Sequence, residues 1–142
     1  MRNLIQRVTS STMRHFIEAD TTSIEVVLAL ESILLGVWLL LPFDTFGSSA
    51  TFNSLRMWPG EVATGLFVLA TGLARTFGLA TRSIRTRQIA AIYGLFVWSY
   101  IDYSFAESNI VATGVVTYFL FVVLSIWILS SLSWKIYSGR TR

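Results

Sequence analysis

Five ionisable residues stand inside or at the edge of long apolar stretches: Glu25, Glu31, Glu61, Arg75 and Asp102. Glu31 is the sharpest case, because "VVLALESILLGVW" surrounds it with hydrocarbon on both sides. A charge held at the middle of a spanning helix costs about 2.5–3.5 kcal/mol, so such residues face protein or water and can carry protons, bind ions or fix helix register. Other chemistries are excluded by residue counts. The chain has no cysteine and a single histidine, His15, which removes disulfides, thiol nucleophiles and Cys- or His-rich metal sites. No Gly-rich phosphate loop, Ser-His-Asp set or metal-ligand cluster is present. The expectation is a protein that is not an enzyme and takes no cofactor.

The elements that must hold these charges follow from composition. Of 142 residues, 54% are hydrophobic and only 13% charged, about half the charge share of a soluble domain. A spanning helix needs about 20 mainly apolar residues. Four stretches qualify: Ile24 to Leu41, ended by Pro42; Glu61 to about Ala80, opened by Pro59-Gly60; Gln88 to Ala106; and Ile110 to about Leu132. None alternates at period two, so strands are not expected. The sequence therefore predicts one all-α membrane domain over 1–142, a four-helix bundle with short connections. The segment 1–20, with Leu4, Ile5, Val8 and Phe16 on one side, reads as an interfacial amphipathic helix or as a polar leader. Residues 133–142 read as a tail anchored by Trp134, Lys135 and Tyr137.

Basic residues orient the chain. Arg2, Arg7 and Arg14, then Arg82, Arg85 and Arg87, then Lys135, Arg140 and Arg142 all fall on one side when there are four crossings. The positive-inside bias predicts both termini in the cytoplasm of a bacterial-type inner membrane. Topology accounts for these clusters, so nucleic acid is not an expected partner. A cleavable signal peptide is the weaker reading of the first stretch, because a long polar leader precedes it and Glu31 interrupts it. The outer connection "PFDTFGSSATFNSLRMWPG" is apolar enough to lie along the interface, with a short helix near 51–57; a lid or docking surface is the functional alternative.

Inside lipid, packed faces are marked by small and polar residues. These are Glu25, Ala29, Ser32 and Gly36 on the first helix, and Glu61, Thr64, Gly65, Val68, Thr71, Gly72 and Arg75 on the second. The third carries Ala91, Gly94, Leu95, Trp98 and Asp102, and the fourth Gly114, Thr117, Phe121 and Ser125. Leu66, Leu69, Leu73 and Phe77 are assigned to lipid. "VATG" at 62–65 and 111–114 hints at a duplicated hairpin, though "LATG" at 69–72 shows how easily it recurs.

Depth matching pairs Glu31 or Glu25 with Arg75, and sets Glu61 and Asp102 at one outer level with Arg56 nearby. Glu31, however, lies off the small-residue face of its helix. Three readings stay open for it: a pair with Arg75, a contact with another subunit, or a proton or ion relay with Asp102.

The stretch "SLRMWPGEVATGLFVLATGLARTFGL", with the small size, basic charge and small-residue helix faces around it, resembles small phage-encoded multi-span membrane proteins of the holin kind. That resemblance implies a homo-oligomer forming a pore in the inner membrane. A small ion or proton channel or transporter using the buried acids is the alternative, and an accessory subunit docking a larger membrane complex is another. In each case the lipid bilayer is the first partner.

Overall fold

A computed structural model describes residues 20–43, 55, 60–107 and 113–139. Four helices follow one another: α1 (Thr22–Leu40), α2 (Glu61–Ala80), α3 (Ile84–Glu107) and α4 (Thr113–Tyr137). All four are long and apolar enough to cross a membrane, and together they make an all-α four-helix bundle. The segment 1–19, most of the outer connection and Arg56 lie outside the described residues, as do Arg140 and Arg142.

Local chemistry sets the ends. At the start of α1, the Asp20 carboxylate accepts from the Thr22 amide at 3.1 Å and from its hydroxyl at 2.7 Å. These bonds hold the Asp20 carboxyl below its usual range. The helix stops where Leu41 turns extended ahead of Pro42. α2 begins after Gly60, whose φ of 90° favours glycine, and places Glu61 in its first turn where the helix dipole suits an anion. At the far end Gly139 takes a φ of 68° and Lys135 occupies the last turn of α4.

Two boundaries differ from the hydropathy reading by about a turn of helix or more. α3 starts at Ile84 rather than Gln88, so Arg85 and Arg87 belong to its first turn and the connection shrinks to 81–83. Arginine is a good helix former, so the helix continues past the apolar stretch. The Ser83 hydroxyl accepts the Thr86 amide at 3.3 Å, a helix-start signal visible in the sequence. α4 runs to Tyr137 rather than Leu132, which takes Trp134 and Lys135 into the helix. Its 25 residues give about 37 Å of helix, longer than a hydrocarbon core of about 30 Å.

The bundle is built as two antiparallel hairpins, α1–α2 and α3–α4, joined mainly through α2 and α3, while α1 and α4 barely touch. The α1–α2 seam is a contact of backbones. A Cβ on Gly36 would lie 2.6 Å from the Leu69 amide nitrogen, and one on Gly72 would lie 2.9 Å from the Ala29 carbonyl oxygen. Ala29, Ser32, Gly36, Gly65 and Gly72 are all buried there. Leu69 packs on Gly36, so it does not share the lipid-type exposure of Leu66, Leu73 and Phe77. Gly114 approaches Phe105, whereas Thr117 lies on the exposed side of α4.

Hydroxyls on the packed faces are satisfied within their own helices. Ser32 donates to the Leu28 carbonyl at 2.6 Å, Thr64 to Gly60 at 2.8 Å and Thr71 to Phe67 at 2.9 Å. Such back-bonding lets small polar residues fill an interface without needing a partner across it. Two apolar clusters complete the interior. One gathers Leu39, Val68, Trp98, Ile101 and Phe105 with Leu55 of the outer connection, itself buried. The other gathers Leu28, Ala91, Ile128 and Leu132.

Candidate functional site

The charged groups are sorted by which faces the helices turn inward. Glu25, in the first turn of α1, meets Arg87, in the first turn of α3. Arg87 donates through Nε to Oε2 at 2.8 Å and through Nη2 to Oε1 at 2.6 Å, a bidentate pair. The Thr21 hydroxyl adds a third bond to Oε1 at 2.7 Å. Glu25 is 2% exposed, so this is a desolvated ion pair with its lone pairs well used. It joins two helices that begin at the same end of the bundle.

This pairing corrects the expected Glu25–Arg75 or Glu31–Arg75 bridge. Depth alone favoured Arg75, and placing Arg87 in a loop hid the better partner. Among the described residues, Arg87–Glu25 is the salt bridge formed.

Arg75 instead turns across the bundle. It leaves α2, passes over Gly94 of α3 and donates through Nη2 to the Ser125 hydroxyl of α4 at 2.9 Å. Gly94 leaves room for this path: a Cβ there would sit 2.5 Å from Nη2, so the guanidinium would have to shift. The sequence marked Gly94 as a packing glycine; its job is to admit a guanidinium. Arg75 is buried, yet its Nε and Nη1 have no hydrogen-bond partner.

Glu31 is half-buried, with Oε2 enclosed and without a partner. It lies within electrostatic reach of Arg75 and of Tyr118 on α4, but bonds to neither. Trp98 is fully buried, stacked at 5.8 Å on Tyr118 and set edge-on to Phe121 at 4.9 Å, and its Nε1 is likewise unpaired. Asp102 holds one enclosed, unpaired oxygen, Oδ1. Glu61 opens α2 and is not free.

These groups form a row. Positions 87, 91, 94, 98 and 102 step by four, three, four and four, so they share one face of α3. From Arg87 to Asp102 that face runs about 22 Å at 1.5 Å per residue. Arg87 closes one end in its pair with Glu25. Arg75 lies over Gly94, Trp98 follows a turn later, and Asp102 stands at the other end. Sequence reading found each member except the Arg87 role, and the missing signal was Ser83 capping a longer α3.

A second feature lies outside the row. An apolar cleft of about 250 Å³ opens between α2 and α3, lined by Thr64, Phe67, Tyr93, Phe96, Val97, Tyr100 and Ile101. Its lining holds no carboxylate, imidazole or cationic side chain, and its polar side chains are the Thr64 hydroxyl and the phenols of Tyr93 and Tyr100. Among the described residues no cluster of three metal-ligating side chains occurs.

The fold and the row together define an all-α four-helix bundle with helices long and apolar enough to cross a membrane and with charged groups in its interior. No protein-family model, curated protein or solved structure matches the chain.

Proposed function

We propose that this chain is a multi-pass protein of a bacterial-type inner membrane that passes protons or small ions along the polar face of α3, with Glu31 and Asp102 as the titratable groups. One observation carries this reading: polar atoms of Glu31, Arg75, Trp98 and Asp102 are enclosed in the bundle and left unpaired by the protein. Unpaired buried polar groups are expensive, and a membrane interior offers no water to relieve them. They persist at sites where a mobile partner completes them. Arg75 would hold the local charge near neutral when Glu31 is ionised, and Ser125 would fix the guanidinium. Both termini and the 81–83 connection would face the cytoplasm, where Arg82 and Arg85 are exposed.

The holin-like pore receives less support. A pore formed between subunits needs a polar outer face, yet Glu25 and Arg75 are turned into the bundle. The accessory-subunit reading has no observation of its own. Purified protein in liposomes carrying a pH-sensitive dye separates the three. Proton flux well above empty liposomes, lost in Glu31→Gln and Asp102→Asn, is expected. Release of a small trapped dye would instead indicate a pore, and flux equal to that of empty liposomes would sink the proposal.

A further inference from the structure

Arg75 is a buried cation whose charge no bonded group answers. It is 2% exposed, and a guanidinium stays charged. Its Nη2 donates to the neutral Ser125 hydroxyl, while Nε and Nη1 are enclosed and bond nothing. Glu25 lies within electrostatic reach, but Arg87 already holds both of its oxygens. Trp98 stands one turn beyond Gly94 on the α3 face that the guanidinium crosses, and its enclosed Nε1 is a further unbonded donor. Arginine and tryptophan side chains donate hydrogen bonds and cannot accept them. Such a donor set is complementary to a group that only accepts.

Glu31 is the other acidic group within electrostatic reach of Arg75, and it bonds no part of it. It answers the charge only while ionised. With its carboxyl protonated, the interior holds a net positive charge, and an ion isolated in hydrocarbon is costly. Water can fill the free donors but brings no countercharge.

We infer that a small monovalent anion binds the free N–H groups of Arg75 when Glu31 is protonated, so that a proton and an anion occupy the bundle together. The anion is monovalent because one charge is unanswered. It is small because the donor atoms are enclosed where α2, α3 and α4 meet around Arg75, Gly94 and Ser125. Hydrogen bonds between a guanidinium and an anion are among the strong ones. When Glu31 loses its proton, its carboxylate competes with the anion for the same cation. The titratable and charged groups around Glu31 are Arg75 of α2 and Tyr118 of α4, while Glu25 of α1 is tied to Arg87 of α3. The inference rests on the reading of Glu31 as the proton-carrying group, and it gives the accompanying ion a sign.

Chloride is the probe, with the bulky gluconate anion as the control. In mild detergent, calorimetry of the full chain is expected to show saturable chloride binding at acid pH. That binding weakens by up to about tenfold per pH unit once Glu31 ionises. Glu31→Gln keeps the acid-form affinity at every pH. Arg75→Met abolishes binding. Arg75→Lys keeps the charge without the planar fork and binds about 10- to 150-fold more weakly, the worth of one hydrogen bond to a charged group. Helical content and melting, read alongside, separate a lost site from a lost fold. In liposomes, an inward chloride gradient acidifies the lumen and a gluconate gradient does not.

No chloride binding at any pH overturns the inference. So does binding that survives Arg75→Met, and so does binding that ignores both pH and Glu31→Gln. Proton flux without chloride binding overturns this inference alone, and chloride binding through Arg75 without proton flux overturns the transport reading alone.

Discussion

Glu25 and Glu31 are two carboxylates on one helix, six positions apart, and the protein treats them in opposite ways. Glu25 accepts from Arg87 twice and from Thr21 once, and is closed off from the surroundings. Glu31 has an enclosed oxygen with no donor and an arginine nearby that bonds elsewhere. Six positions turn a helix through about 600°, which sets the two on faces about 120° apart. The first face meets α3 at the end of the bundle, and the second meets the open side beside α4. A saturated ion pair fixes register between helices, while an unsaturated charge has unused capacity. The two kinds of charge are therefore distinguished here by completeness of bonding rather than by burial, since Arg75 is as buried as Glu25.

Breaking the saturated side gives the largest effect. Arg87→Ala leaves Glu25 buried without a countercharge, held by the Thr21 hydroxyl alone, and is expected to destabilise the protein by about 3–5 kcal/mol, read from SDS-induced unfolding in mixed micelles. Arg87→Lys recovers part of this, because an ammonium cannot make the bidentate contact.

Gly94→Ala tests the path of Arg75. Its methyl would meet Nη2 at 2.5 Å, so a loss of about 1–3 kcal/mol is expected from overpacking. In an Arg75→Met background most of that loss vanishes, and a double-mutant cycle measures the coupling. Additive losses would mean that Gly94 serves the helix backbone and not the arginine.

Arg75→Met alone sharpens the comparison. Replacing a poorly bonded buried charge by an apolar side chain of similar volume is often neutral or stabilising. Stability within about 1 kcal/mol of the parent, together with loss of proton flux, is expected; a collapse comparable to Arg87→Ala would place Arg75 with the structural charges.

Asp20→Ala is the smallest change. Asp20 is largely exposed, so loss of its bonds to Thr22 costs below about 1 kcal/mol and frays the first turn of α1. Its carboxyl is held low in the folded state, so this contribution is present at neutral pH and is lost as pH falls through that lowered value. Amide exchange of the first turn of α1, compared at neutral and acid pH, reads it.

Much of this architecture is legible residue by residue. Apolar length located all four helices, and Gly60 and Pro42 bounded two of them. The small-residue stripe of α1 and the Gly65–Gly72 stripe of α2 identified the close seam, because only small residues let backbones meet without water to drive them together. Hydropathy failed where helix and hydrocarbon part company. Arg85 and Arg87 read as loop because they are charged, although the backbone there is helical. The same error hid the partner of Glu25. Thr117 is exposed and Leu69 packs on Gly36, against their wheel positions, because a wheel gives a face but not which neighbour lies against it.

The sequence by itself determined the number of long apolar helices, their small-residue faces and the presence of acids and an arginine within them, since these depend on local composition and the fixed pitch of a helix. Only the tertiary structure decided which charge is answered. That outcome depends on the rotation and height of α1 against α3, on a glycine at 94 that opens a path for Arg75, and on a serine fifty positions further along the chain. A hydrogen bond is decided over tenths of an ångström, and such distances arise only when separate helices are packed together.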